Sequence, residues 1–145
     1  MKITVINGPN LNMLGIREPE IYGHATYEDL LHFIQESARA LGVEAQCLQS
    51  NCEGELVTFI QQCLESTDTI IINPAAYTHT SIAILDALKA VGLPAVEVHL
   101  SDVNAREAFR RVSYAGMACI KTIAGHGFEG YHMAMKVLIE YFVHL

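Results

Sequence analysis

Apolar and polar positions along this chain alternate between two rhythms. Residues 2–6 form a short apolar run suited to a buried strand. Over residues 26–41 the apolar side chains Leu30, Leu31, Ile34, Ala38 and Leu41 recur on one helical face. Thr26 stands as the N-cap of that helix, Asp29 follows three residues on, and Gly42 ends it. Strand-like stretches recur at 43–48, 69–72, 95–100 and 118–123. Helix-like stretches fill 55–64, 81–91 and 128–143, and residues 105–110 suit a short helix. Asn73-Pro74 halts the third strand and Gly92 closes the third long helix.

Strands alternating with helices of this length predict an α/β fold, a doubly wound parallel sheet with helices on both faces. Five strands in 145 residues favour the flavodoxin-like order 2-1-3-4-5 over the longer Rossmann orders. No repeat, low-complexity tract or linker interrupts the chain, so residues 1–145 read as a single domain. In such sheets ligands bind beyond the carboxyl ends of the strands, near the point where strand order reverses. The loops at 7–24, 73–80 and 99–110 are therefore predicted to meet around one cleft.

Composition narrows the partners. Half of the chain is apolar (51%), enough for a full core without staples. A net charge of -7 argues against a nucleic-acid partner, whose phosphates would be repelled. An anionic small molecule remains compatible, since a few arginines dominate one cleft. Cys47, Cys52, Cys63 and Cys119 form no C-x-x-C pair and no zinc-spaced cluster. They read as small buried or half-buried thiols in a reducing compartment. No apolar stretch approaches the roughly 20 residues that cross a bilayer, and no signal peptide precedes the first strand. The expectation is a cytoplasmic protein with no membrane partner.

The loop at 7–24 is long for a βα connection, which commonly spans about 2–6 residues. Asn12, Arg17 and Tyr22 are spread along it, and Gly15 and Gly23 flank a stretch, about 15–24, that reads as a lid. It carries neither G-x-x-x-x-G-K-[ST] nor G-x-G-x-x-G, which counts against a nucleotide. The loop at 73–80 ends in hydroxyl residues suited to cap the next helix, whose free N–H groups suit an oxyanion. Glu97 and His99 alternate by two on a strand, so both leave one face, and the carboxylate orients the imidazole as a general acid requires. Arg106 and Arg110 are four apart and would share a helical face; a guanidinium holds a carboxylate bidentately. Taken singly, each feature has a plainer reading: turn formers, capping residues, a satisfied histidine, a solvated basic patch.

Taken together, they resemble one family. The run Asn7-Gly8-Pro9-Asn10-Leu11-Asn12-Met13-Leu14-Gly15, with Arg17-Glu18-Pro19 and Tyr22-Gly23, looks like the N-terminal signature of type II 3-dehydroquinate dehydratases. The likeness continues through Gln49-Ser50-Asn51-Cys52-Glu53-Gly54-Glu55-Leu56 and residues 73–81. It then passes through Asp86-Ala87-Leu88, Glu97-Val98-His99-Leu100-Ser101, residues 105–110, and Gly125, Gly127 and Gly130-Tyr131. Met13, Asp102 and Arg111-Val112 depart from the usual pattern.

The resemblance implies dehydration of 3-dehydroquinate to 3-dehydroshikimate, the third step of the shikimate pathway, with no cofactor, metal or Schiff base. It implies Tyr22 as base with Arg17 lowering its pKa, His99 as acid held by Glu97, and Asn12 holding a water at the enolate oxygen. Asn73, Ala76, His79, Leu100, Ser101 and Arg110 would bind substrate, and Asp86 would reach the site from a neighbouring subunit. The assembly implied is a dodecamer, a tetramer of trimers. Three rival readings stand beside it: a binding module without catalysis, a flavin or nucleotide enzyme on the same fold, and a lysine Schiff-base dehydratase. The last is disfavoured because Lys2, Lys89, Lys121 and Lys136 fall outside the predicted catalytic loops.

Overall fold

In the computed structural model, which describes residues 1–16 and 18–145 (of Tyr22 the backbone alone), strands and helices alternate as the periodicity predicts. The strands are β1 (Lys2–Asn7), β2 (Glu44–Gln49), β3 (Thr69–Asn73), β4 (Ala95–His99) and β5 (Lys121–Ala124). They form one sheet in the order β2-β1-β3-β4-β5, every neighbouring pair parallel. The helices are α1 (Pro19–Tyr22), α2 (Tyr27–Leu41), α3 (Glu53–Ser66), α4 (Ile82–Val91) and α5 (Glu129–Val143).

Strand alternation divides the apolar side chains between two cores. Ile3, Val5, Ile71, Val96, Val98 and Ile123 pack against Leu30 and Ile34 of α2 and against Tyr131, Met135 and Leu138 of α5. Ile6, Ile70, Ile72 and Ala95 pack on the other face against Leu56 and Ile60 of α3 and Ile84 and Leu88 of α4. Full burial of each such Ile or Leu contributes about 1.5–3 kcal/mol relative to exposure.

Local chemistry sets the helix ends. Thr26 Oγ1 accepts the Asp29 N–H at 3.1 Å while the Asp29 carboxylate accepts the Thr26 N–H at 2.9 Å, a complete capping box on α2. Gly42 closes α2 with φ 71°, a left-handed conformation that glycine adopts without strain. On α4 the Ser81 hydroxyl accepts the Ile84 N–H at 3.0 Å.

Three stretches differ from the sequence expectation. The fifth strand covers Lys121–Ala124 rather than 118–123, because Ala115–Ala118 coil into a 3-10 turn that delivers the chain to the sheet edge. Residues 105–110 are not one helix but parts of two 3-10 turns, Val103–Ala105 and Ala108–Arg111, split by an extended Arg106. The Asp102 carboxylate accepts the Asn104 N–H at 3.1 Å and starts the first turn early, which breaks the helical run. The long first loop holds structure of its own, a 3-10 turn at Leu11–Met13 and the one-turn α1. Of the cysteines, Cys63 is buried, Cys47 and Cys119 are half-buried, and Cys52 is exposed at the N-cap of α3, against the expectation that all would be at least half-buried.

Candidate active site

The predicted meeting of three loops takes place. Beyond the carboxyl ends of β1, β3 and β4 lies a cleft of about 160 Å³. Pro9, Asn10, Leu11 and Leu14 come from the first loop, and Asn73, Ala75, Ala76 and His79 from the second. His99, Leu100, Ser101, Val103, Arg106 and Arg110 come from the third. A larger groove of about 540 Å³ opens at the opposite, amino end of the strands, beside Lys2, Arg39, Gln46 and Ser66. Glu44, Lys2 and Arg39 are its charged residues and, among the described residues, no histidine, tyrosine or cysteine lines it, whereas the smaller cleft holds two histidines and two arginines.

His99 ends β4 with its ring nearly buried, and Glu97, two residues back, is fully buried beneath it. A carboxylate removed from water must be satisfied by the protein. Here Ser113 Oγ donates to Glu97 Oε2 at 2.6 Å, Thr122 Oγ1 donates to Oε1 at 2.8 Å, and the Thr78 hydroxyl donates to Oε2. His99 Nε2 lies 2.9 Å from Oε2, with the ring turned out of line for a hydrogen bond. Burial alone would push the Glu97 carboxyl up; contact with His99 and the Ser113 and Thr78 hydroxyls hold it down at about 2.

His79 lies near-parallel to His99, ring centroids 6.5 Å apart. Its Nδ1 is 2.7 Å from the Val112 carbonyl, and because a carbonyl only accepts, Nδ1 carries the hydrogen. Its other nitrogen is left for a ligand. Arg110 donates from Nε to Glu107 at 2.7 Å and stacks its guanidinium over Phe109, which fixes the fork at the cleft wall. Arg106 and Arg110 line the same cleft although no single helix joins them.

Of the residues singled out from sequence, Asn73, Ala76, His79, His99, Leu100, Ser101 and Arg110 line the cleft. Glu97 lies under it. Asn12 stands exposed in the Leu11–Met13 turn, its Oδ1 accepting from Gln49 Nε2 at 3.4 Å. Asp86 is exposed on α4 and lines no part of the cleft of this chain. Arg17 and the Tyr22 side chain lie outside the described residues. Sequence reasoning passed over Thr78, Ser113 and Thr122, whose hydroxyls satisfy Glu97. It also gave no role to Asn7 and Tyr131, which bond to one another beneath the cleft at 2.7 Å.

Comparison with known proteins agrees over nearly the whole chain. The family model described as Dehydroquinase class II matches residues 1–139. A 3-dehydroquinate dehydratase of Clostridium acetobutylicum is 54% identical over 138 residues, 95% of this chain and 96% of that protein. One from Fusobacterium nucleatum is 53% identical over 145 residues, covering 98% and 99%. The crystal structure of a type II dehydroquinase from Butyrivibrio crossotus superposes with a TM-score of 0.94 at 50% identity, covering 96% of this chain and 97% of that one.

The buried carboxylate has a measurable signature. Its folded pKa of about 2 lies below its ordinary 4.5, so its contribution to stability is complete above 4.5 and is lost as pH falls toward 2. At about 1.4 kcal/mol per unit the full contribution is of order 3 kcal/mol. Denaturant unfolding of wild type between pH 5 and about 2 should show this decline, and Glu97→Gln should flatten it. Parallel curves for the two proteins would remove the ionised carboxylate from the account.

Proposed function

Because this chain belongs to the class II dehydroquinases, we propose that it converts 3-dehydroquinate to 3-dehydroshikimate and water by anti elimination through an enolate. The observation that supports this most is the gathering of a histidine seated on a buried carboxylate with Arg110, His79 and Asn73 around one cleft.

The reaction removes a proton from the carbon beside a ketone and expels a β-hydroxyl. In this reading Tyr22 takes the proton. A free tyrosine has a pKa of about 10, so its phenolate needs a neighbouring cation, and Arg17 is the candidate on the same loop. Both roles rest on the family motif rather than on geometry. The electrons of the broken C–H bond pass to the ketone oxygen as an enolate, which a water held by Asn12 and backbone groups near Ala76 stabilise. The enolate then collapses and the β-hydroxyl leaves, taking a proton from His99 to become water. Glu97 compensates the positive charge of the His99 ring before that transfer. Arg110 suits the substrate carboxylate, while Asn73, His79, Ser101 and the Leu100 backbone suit its hydroxyls. No step needs a metal or an organic cofactor.

Residues 18–24 then serve as the lid. Gly15 (φ 84°) and Gly23 (φ 80°) bend the chain on either side of them. A Cβ on Gly15 would sit 3.0 Å from the His24 carbonyl, so the two ends of the loop are pinched together at a neck. A segment joined through such a neck closes by rotation about few dihedrals. Trypsin should cut after Arg17 in the free protein and more slowly with a substrate analogue bound; equal rates would argue against closure.

The site is completed by a second copy of this chain in this reading. Ile82, Phe109 and Val112 are exposed apolar side chains near the end of the molecule where α4 begins, an unusual amount of apolar surface for a lone protomer. Asp86, exposed on α4 as well, would enter the neighbour's cleft, and the closed assembly would be the dodecamer.

One set of measurements tests the reading. Wild type and Tyr22→Phe are assayed with 3-dehydroquinate by the ultraviolet absorbance of the conjugated product, with chelator present, after sedimentation has given their size. We expect wild type to sediment as a dodecamer and turn over, and Tyr22→Phe to keep the assembly and lose at least about a hundredfold in kcat. A folded, inactive wild type would transfer the site to the binding-module reading. An active monomer would refute the shared site alone.

A further inference from the structure

Directly beneath the cleft, α5 sends one polar atom into the core. Tyr131 has no exposed surface, and its hydroxyl donates to Asn7 Oδ1 at 2.7 Å and accepts from Asn73 Nδ2 at 3.0 Å. Asn7 and Asn73 are register partners at the carboxyl ends of β1 and β3, both buried. The phenol therefore ties together the last residues of the two strands whose loops form two walls of the cleft.

The tie extends into both loops. Asn73 Oδ1 accepts the Ala75 N–H at 3.1 Å, holding Ala75 at φ 54°, a left-handed conformation uncommon for a residue with a Cβ. The Asn73 carbonyl accepts the Gly8 N–H at 2.7 Å, and a Cβ on Gly8 would lie 2.5 Å from the Pro74 carbonyl oxygen. Asn7 Nδ2 also reaches the Tyr27 hydroxyl at 3.4 Å. Burial pushes the Tyr131 phenol pKa up, so it stays a neutral donor.

A phenylalanine would fill nearly the same volume, and buried amides cost free energy unless every polar atom is paired. A purely structural junction between β1 and β3 needs none of these three groups, since the strand ladder already joins them. What the network adds is a fixed orientation of the Asn73 carboxamide and a fixed offset between the loops carrying Asn12 and Ala76–His79.

We propose that Tyr131 is a positioning residue for the dehydration: through Asn7 and Asn73 its hydroxyl sets the spacing of the two substrate-binding loops. The inference rests on the reading of the site given above. His99 and Glu97 are held by a separate set of hydroxyls, so loss of the Tyr131 hydroxyl disturbs substrate binding and enolate stabilisation while leaving proton donation by His99 in place.

The test is steady-state kinetics of Tyr131→Phe beside wild type and Leu138→Ala, at a temperature where circular dichroism shows all three folded. Leu138 lies on the same helix in the same core, fully buried, and its truncation destabilises the fold without touching the network. We expect Tyr131→Phe to lose about tenfold or more in kcat/KM, shared between a raised KM and a lowered kcat, with the pH profile of kcat unchanged in shape. Leu138→Ala should stay within about twofold of wild type despite an equal or larger loss of stability. A Tyr131→Phe enzyme within twofold of wild type, or a loss matched by Leu138→Ala, overturns the inference while leaving the activity in place. If Tyr131→Phe does not fold, Asn7→Ala breaks the same bond from its other end and is read by the same criteria. An inactive wild type would overturn the reading of the site and this inference with it.

Discussion

An ionised carboxylate at the centre of a parallel sheet is tolerable only if the protein supplies what water no longer does. Glu97 is fully buried on β4, and its needs organise everything near it. Thr78 from the turn after β3, Ser113 from the segment before β5 and Thr122 from β5 itself converge on its two oxygens. Ser113 in turn accepts the Gly116 N–H at 2.9 Å, which starts the turn feeding β5. Next to it, the Tyr114 N–H bonds the Thr78 carbonyl at 2.7 Å, and the Val112 carbonyl takes the hydrogen of His79. One anion thus fixes the route of the chain from Arg110 to β5, the seat of His99 and the orientation of His79.

The site divides its polar groups into two sets with separate tasks. The hydroxyls around Glu97 satisfy its buried charge beside His99. The amide–phenol network of Asn7, Tyr131 and Asn73 ties together the ends of β1 and β3, whose loops wall the cleft. The two sets share no hydrogen bond with each other among the described residues.

How much of this could be read from sequence follows from the range of each interaction. The alternation of strands and helices, the α2 capping box and the Gly42 stop are local or periodic, and the pattern carries them, while the strand order is read from chain length. Glu97 and His99 are two apart on one strand, so their pairing is visible as spacing. The partners of Glu97 are not, since Thr78, Ser113 and Thr122 lie 19, 16 and 25 residues away and look like ordinary hydroxyls. Tyr131 is 124 residues from Asn7, and only the fold makes them neighbours. The fifth strand was misplaced because Ala118, Cys119 and Ile120 are apolar enough for a strand, yet they finish a turn instead. Residues 105–110 read as a helix because nothing local reveals that the Asp102 side chain starts a turn ahead of them. Asp86 is exposed on α4 and lines no part of the cleft of this chain.

The central claim is that Glu97 and His99 act as a unit in proton donation. A double-mutant cycle in kcat/KM, with Glu97→Gln, His99→Asn and the double variant, measures this directly. The account predicts that each single change loses about a hundredfold or more and that the double variant is no worse than His99→Asn alone. Losses that multiply would show two independent groups and contradict it.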